Sequence, residues 1–341
     1  MDQVAYIASS ESSPTPNQPE PEPEGITRGY SLVHLAGRFG TLIGLAVMLV
    51  YFSVRSDVFL TQQNLLNILS ATALLGIAAA GLTVTLVLFE FDLSIGWVAT
   101  AAGVFAAGIA VDHGTLVGFG AGIATGLVVG LVNGLVVTRL NVHALIATLA
   151  MGTILQGLIF GYRGGAQISG GLPSSFSSIG RNELVGVRMT VWIMLVVMLL
   201  LWALLRHTPL GRRMYAVGGN ATAARLSGIN IRRTRVIAFA TSGVLASLAG
   251  VLLASNLNAG NPTAGLGLLL EAFTACFIGA ATLRDGEFHI PGTLIGVLIL
   301  GVLANGLVLT GVPASWQTII RGIVLITAVA FSGLMRRSAE S

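Results

Sequence analysis

Apolar residues run through this chain in long blocks, and polar residues gather in the short stretches between them. A helix needs about 20 apolar residues to cross a bilayer, and about ten runs here approach that length. They lie near residues 37–55, 65–88, 94–111, 115–138, 143–162, 190–206, 236–256, 267–283, 290–310 and 316–335. The pattern predicts an all-α polytopic membrane protein with about ten transmembrane helices.

The polar stretches suggest an orientation. Residues 206–235 hold seven arginines and no acidic residue. Arginine-rich loops stay in the cytoplasm. With the amino terminus inside, the even-numbered loops are cytoplasmic, and they carry Arg139, the seven-arginine loop and Arg284. The carboxy-terminal tail, with Arg336 and Arg337, is cytoplasmic too. The outside loops carry Arg55, Arg163, Arg181 and Arg188. The second loop departs from the pattern, with Glu90 and Asp92 instead of arginine. Residues 1–29, rich in proline and holding Glu20, Glu22 and Glu24, read as a disordered acidic cytoplasmic tail ahead of a transmembrane domain at 30–341.

One internal similarity stands out. Leu131-Val-Asn133-Gly134-Leu-Val-Val-Thr138 resembles Leu303-Ala-Asn305-Gly306-Leu-Val-Leu-Thr310. The two fall in the fourth and ninth runs, which would cross in opposite directions. Two inverted five-helix halves would follow, an architecture common in transporters. Chance similarity in a small apolar alphabet is the competing reading.

Composition narrows the chemistry. Charged residues make up 9% of the chain, against about a quarter in soluble domains. The basic residues are all arginine; with no lysine, a Walker A nucleotide loop and Schiff-base catalysis are both excluded. The single cysteine, Cys276, sits in an apolar run and reads as an inert thiol. The five histidines lack ligand spacing, so no metal or other cofactor is expected. No feature calls for nucleic acid, and no nucleophile and base stand at a catalytic spacing.

Five residues are candidates for a translocation pathway. Asp92 and Ser94 lie between the second and third runs, where a buried acid is costly and often functional. Either could instead cap the next helix. Glu271 stands near the start of the eighth run, and Asn133 and Asn305 are amides that lock helices or line a pathway. In the arginine loop, Asn220 is a good N-cap and Gly228 suits the left-handed residue after a helix end. The short helix between them, with Ala223, Ala224, Arg225 and Leu226, would dock a soluble partner or rest on anionic membrane lipid.

From Gln63 to Arg336 the chain resembles the permease subunit of bacterial ABC importers for ribose-type sugars. The resemblance rests on Asp92-Leu93-Ser94-Ile95-Gly96, on Asn133-Gly134 through Thr138-Arg139 with Ile146-Ala147-Thr148-Leu149, and most on Thr208-Pro-Leu-Gly211-Arg212, Ala216-Val-Gly218-Gly219-Asn220 and Ala223-Ala224-Arg225-Leu226-Ser227-Gly228-Ile229. It implies a fold similar to the cobalamin-importer permease and a homodimer with its pathway on the two-fold axis. It also implies a cytoplasmic ATPase subunit bound at the Asn220–Gly228 helix, a periplasmic sugar-binding protein, and residence in the bacterial inner membrane. Three segments depart from the family's pattern. Leu88-Phe89-Glu90-Phe91 replaces a glycine pair, Trp97 replaces a serine-type residue, and Gly279-Ala280-Ala281-Thr282-Leu283 precedes Arg284-Asp285.

Composition alone leaves an ATPase-driven importer permease, an ion-coupled transporter using Asp92 or Glu271, and a membrane-embedded enzyme. The resemblance favours the first, with a pentose-like sugar as solute and a branched-chain amino acid as the nearest alternative.

Overall fold

Inside hydrocarbon no water can satisfy peptide groups, and a helix satisfies them within one segment. The chain is accordingly helical almost throughout. The computed structural model describes residues 32–282 and 286–340, and the side-chain surroundings of 40–282 and 286–330. The acidic tail at 1–29 and the pair Arg284-Asp285 lie outside the described residues.

In chain order the helices are α1 (Leu32–Arg55), α2 (Gln62–Leu86), α3 (Ile95–His113), α4 (Thr115–Arg139), α5 (Ala144–Gly161), α6 (Ser174–Arg181) and α7 (Met189–His207). There follow α8 (Pro209–Gly219), α9 (Ala221–Leu226), α10 (Ile231–Leu257), α11 (Gly267–Ala280), α12 (Ile290–Leu309) and α13 (Ala314–Glu340). A two-stranded hairpin, β1 (Glu183–Leu184) with β2 (Val187–Arg188), precedes α7. Each expected apolar run coincides with a helix. Seven are long and apolar enough to cross a membrane, namely α2, α3, α4, α5, α7, α10 and α12. Shorter apolar helices occupy the other runs, at Gly40–Arg55, Gly267–Ala280 and Ala314–Ala330. The protein is a polytopic helical membrane protein.

The arginine loop is shorter and more structured than its sequence suggested. The helix α10 already begins at Ile231, so Arg232, Arg233 and Arg235 belong to its first turns. Two helices bridge α7 and α10, not one. The first, α8, escapes a sequence reading because Pro209 looks like a breaker. It occupies the first helical turn, where its missing N–H costs nothing. The Thr208 hydroxyl accepts from the Gly211 N–H at 3.2 Å and caps that turn.

The core is built around α10, which packs against α4, α3 and α2. Glycine makes this possible. A Cβ on Gly126 would run into the Gly243 carbonyl, and one on Gly250 into the Ala99 carbonyl. Lipid offers no hydrophobic drive between helices, so such close backbone contact supplies the dispersion that holds them. Helices α5 and α13 are different. Each packs on one side, α5 against α3 and α13 against α11, and leaves Ile154, Leu158, Ile323 and Ile326 exposed.

Candidate functional site

The loop helix α9 has the caps its sequence foretold. The Asn220 side chain accepts from the Ala223 N–H at 2.9 Å. Gly228 takes φ +79°, and the Ile229 N–H closes back on the Ala224 carbonyl at 3.0 Å. Ala224 is buried against the protein, while Ala223 and Arg225 face outward. Leu226 is 85% exposed at the end of the helix. The helix thus presents a small surface with one cation, Arg225, and one large apolar side chain, Leu226.

Helix α8 ties this surface to the membrane helices. A Cβ on Gly218 would strike the Val87 carbonyl, so α8 lies directly on the α2–α3 connection. The Tyr215 hydroxyl donates to the Phe288 carbonyl at 3.1 Å, just ahead of α12. Met214 is fully buried. Helix α8 thus touches two connections, at Val87 and at Phe288.

The α2–α3 connection holds the first departure from the family's pattern. Phe89 adopts φ +56°, a left-handed conformation that glycine takes freely and a bulky residue takes under strain. Packing offsets that strain. Phe89, Phe288, Phe277, Phe273 and Phe91 form an unbroken chain of ring contacts with centroids 5.3 to 6.3 Å apart. Glu90 pairs with Arg235 of α10 at 2.6 Å. Burial holds the Glu90 carboxyl above the usual carboxylate range, and Arg235 and then His143 pull it partway back. Trp97 lies against Gly152 of α5, where a Cβ would come within 2.7 Å of the indole.

Three of the five expected pathway residues meet in one buried network. Asp92 accepts from the Ser94 N–H at 3.0 Å and the Ser94 hydroxyl at 2.6 Å through one oxygen. Its other oxygen accepts from the Ser242 hydroxyl at 2.8 Å. The Asn133 amide donates to the Ser94 oxygen at 3.0 Å. Beside it, the Leu93 N–H donates to the Thr148 hydroxyl at 3.0 Å. Four helices, α3, α4, α5 and α10, are thus stitched at one level. The aspartate rather than Ser94 supplies the side-chain acceptor at the entrance to α3.

The other two lie elsewhere. Asn305 exchanges two amide hydrogen bonds of 2.9 Å with Asn64, joining α12 to α2. Glu271 accepts from Arg321 at 2.6 Å, joining α11 to α13. Ser242, Arg235, Asn64 and Arg321 were not singled out from sequence. Arg321 carried a legible signal, a charge inside an apolar run. Ser242 carried none, being one small residue among many. Among the described residues no group of three or more histidine, cysteine or acidic side chains could hold a metal.

The sequence has known counterparts. A family model described as the permease component of a branched-chain amino acid transport system matches residues 64–329. The chain belongs to this family of transport permeases. It is 40% identical to the ribose import permease of Escherichia coli (strain K12) over 293 residues, covering 85% of this chain and 91% of that protein. Against the ribose import permease of Bacillus subtilis (strain 168) the identity is 38% over 302 residues, 87% and 94% of the two chains. An L-arabinose ABC transporter permease of Azospirillum brasilense is 33% identical over 308 residues, 90% and 91% of the two. In the permease, α9 falls in the segment between α7 and α10 that carried the strongest family motif.

Proposed function

We propose that this permease is the membrane subunit of an ABC importer for a monosaccharide of the ribose or pentose class. The observation that carries the reading is its similarity, along most of its length, to permeases named for ribose and arabinose. A branched-chain amino acid is the nearest alternative solute, because the family model bears that description.

In this reading two copies assemble around a shared pathway in the bacterial inner membrane. The ten apolar helices all span, in two inverted halves similar to the cobalamin-importer permease, with both termini in the cytoplasm. A cytoplasmic ATPase subunit docks on the outward side of α9, at Asn220, Ala223, Arg225, Leu226 and Gly228, with Ala224 packed beneath them against the permease, and a periplasmic sugar-binding protein delivers solute to the opposite side. The chain supplies no nucleotide site of its own. When nucleotide draws the ATPases together, α9 is pulled. Helix α8 passes the motion to the α2–α3 connection at Val87 and to the start of α12 at Phe288. Asp92, Ser94 and Asn133 act from behind the pathway wall, holding the start of α3 in register, while Glu271 and Asn305 stand nearer its surface.

The exposed tip of α9 supplies the test. Arg225→Glu combined with Leu226→Glu should lower coupled ATP hydrolysis in reconstituted complexes at least tenfold, with the permease still in the membrane. Undiminished coupling would contradict the docking assignment. An ion-coupled mechanism is less well supported, because both Asp92 oxygens are already engaged by Ser94 and Ser242 and the Glu271 carboxylate is paired with Arg321.

A further inference from the structure

The Glu271–Arg321 pair has a setting that packing alone does not explain. Arg321 stands seven residues after Ala314, which puts it about 10 Å along α13 at 1.5 Å per residue. Glu271 lies about 6 Å along α11 by the same measure. Exposed Trp316 precedes Arg321 on α13, and indoles mark the level of the membrane interface. The pair is therefore deeper than that level, in two largely apolar helices, with Gln317, Thr318 and Thr274 the polar residues within a turn of it.

Despite that depth, the pair is open. The Arg321 side chain is 42% exposed and that of Glu271 33%. Their neighbours Thr318 and Gly322 on α13 and Leu270 on α11 are exposed too. A guanidinium offers five N–H donors and a carboxylate about four acceptor sites, and one hydrogen bond joins them here. Hydrocarbon cannot satisfy the remainder. Ionisable residues inside membrane helices face a protein interior or a water-filled cavity rather than lipid. This face of α11 and α13 thus turns toward protein or water rather than lipid.

We propose that the Glu271–Arg321 pair is a contact station for the solute, at the outer part of the pathway, and that it selects neutral polyols. The proposal deepens the permease reading and rests on it. The two charges sum to zero, so the station has no net attraction for ions. It presents fixed donors beside fixed acceptors. Adjacent hydroxyls of a sugar, each both donor and acceptor, match that arrangement. Exposed Leu270, beside Glu271 in the chain, offers apolar surface to the C–H faces of a sugar ring. The contact is made on passage, with the two side chains re-pairing after the sugar leaves.

The test uses proteoliposomes holding the full complex with its ATPase and binding protein. Arg321→Gln and Glu271→Gln should each lower pentose uptake at least tenfold at unchanged permease content. The charge swap Glu271→Arg with Arg321→Glu separates contact from support. It should restore the thermal unfolding midpoint while uptake stays low. A swap that recovers uptake and midpoint together would overturn the proposal, because a purely structural clasp does that. So would Gln variants with normal uptake. A second readout does not depend on flux. Thr318→Cys, one turn from Arg321, should react with a charged, membrane-impermeant methanethiosulfonate from outside, and pentose should slow the reaction. Protection by leucine instead of pentose would overturn the polyol class. An unreactive cysteine in a complex that still imports would overturn the station alone, whereas failure of the wild-type complex to import any sugar counts against the permease reading itself.

Discussion

Asn133-Gly134 on α4 and Asn305-Gly306 on α12 sit in nearly the same eight-residue sequence, yet the two amides do different work. Asn133 is 1% exposed and donates into the Asp92–Ser94–Ser242 network. Asn305 is half-buried and pairs with a second amide, Asn64. Their glycines differ in kind as well. A Cβ on Gly134 would come within 2.8 Å of the Val236 backbone, whereas one on Gly306 would meet the ring of Phe52. The motif means the same in both places, a lock on one side and a close approach on the other. What it locks, and how firmly, is decided by the neighbour. In the α4 copy the neighbours are core helices. In the α12 copy the approach is to α1, at the edge of the bundle.

The largest effect should come from the glycines. Gly134→Leu must displace the α10 backbone and should cost about 3 kcal/mol, at the top of the range for overpacking. Gly306→Leu needs Phe52 to turn aside and should cost about 1 kcal/mol. Unfolding in detergent would measure both, and equal losses would break the distinction between backbone and side-chain contact. Next come the amides. Asn133→Leu should couple to Ser94→Ala, and Asn305→Leu to Asn64→Leu, each by about 0.6 kcal/mol and no more than about 1.7 kcal/mol, the average and the maximum for hydrogen bonds inside membrane proteins. Cross-pairing Asn133→Leu with Asn64→Leu should show no coupling. A sizeable cross term would join the two locks into one. The smallest effect serves as the control. Thr138 and Thr310 each donate back to the glycine carbonyl of their own motif, at 2.7 and 2.8 Å. Thr138→Val and Thr310→Val should each cost under about 1 kcal/mol, and by similar amounts.

The same contrast explains what could be read from the sequence. The apolar runs foretold where helices form, because crossing a bilayer fixes both length and composition. The caps of α9 were legible too, since Asn220 and Gly228 act on their own backbone within one turn. Long-range partners were not. Nothing local marks Ser242 as the residue that meets Asp92, 150 positions away in the chain. The chain of contacts among five phenylalanine rings was equally hidden. From sequence, Phe89 and Phe91 looked only like bulky replacements for glycine, and their role as a packed joint needed Phe273, Phe277 and Phe288 brought beside them. Glu90 read as an exception to the arginine rule until Arg235 was placed against it.

The central claim is that energy enters this permease from another chain through the segment between α7 and α10, and drives sugar inward. The most direct measurement is pentose uptake by sealed proteoliposomes holding the permease, its ATPase and its binding protein, with ATP and ion gradients varied separately. The account predicts uptake that requires ATP, persists when the gradients are collapsed, and falls at least tenfold with Arg225→Glu and Leu226→Glu together. Uptake that continues without ATP and stops when an ion gradient is removed would contradict it.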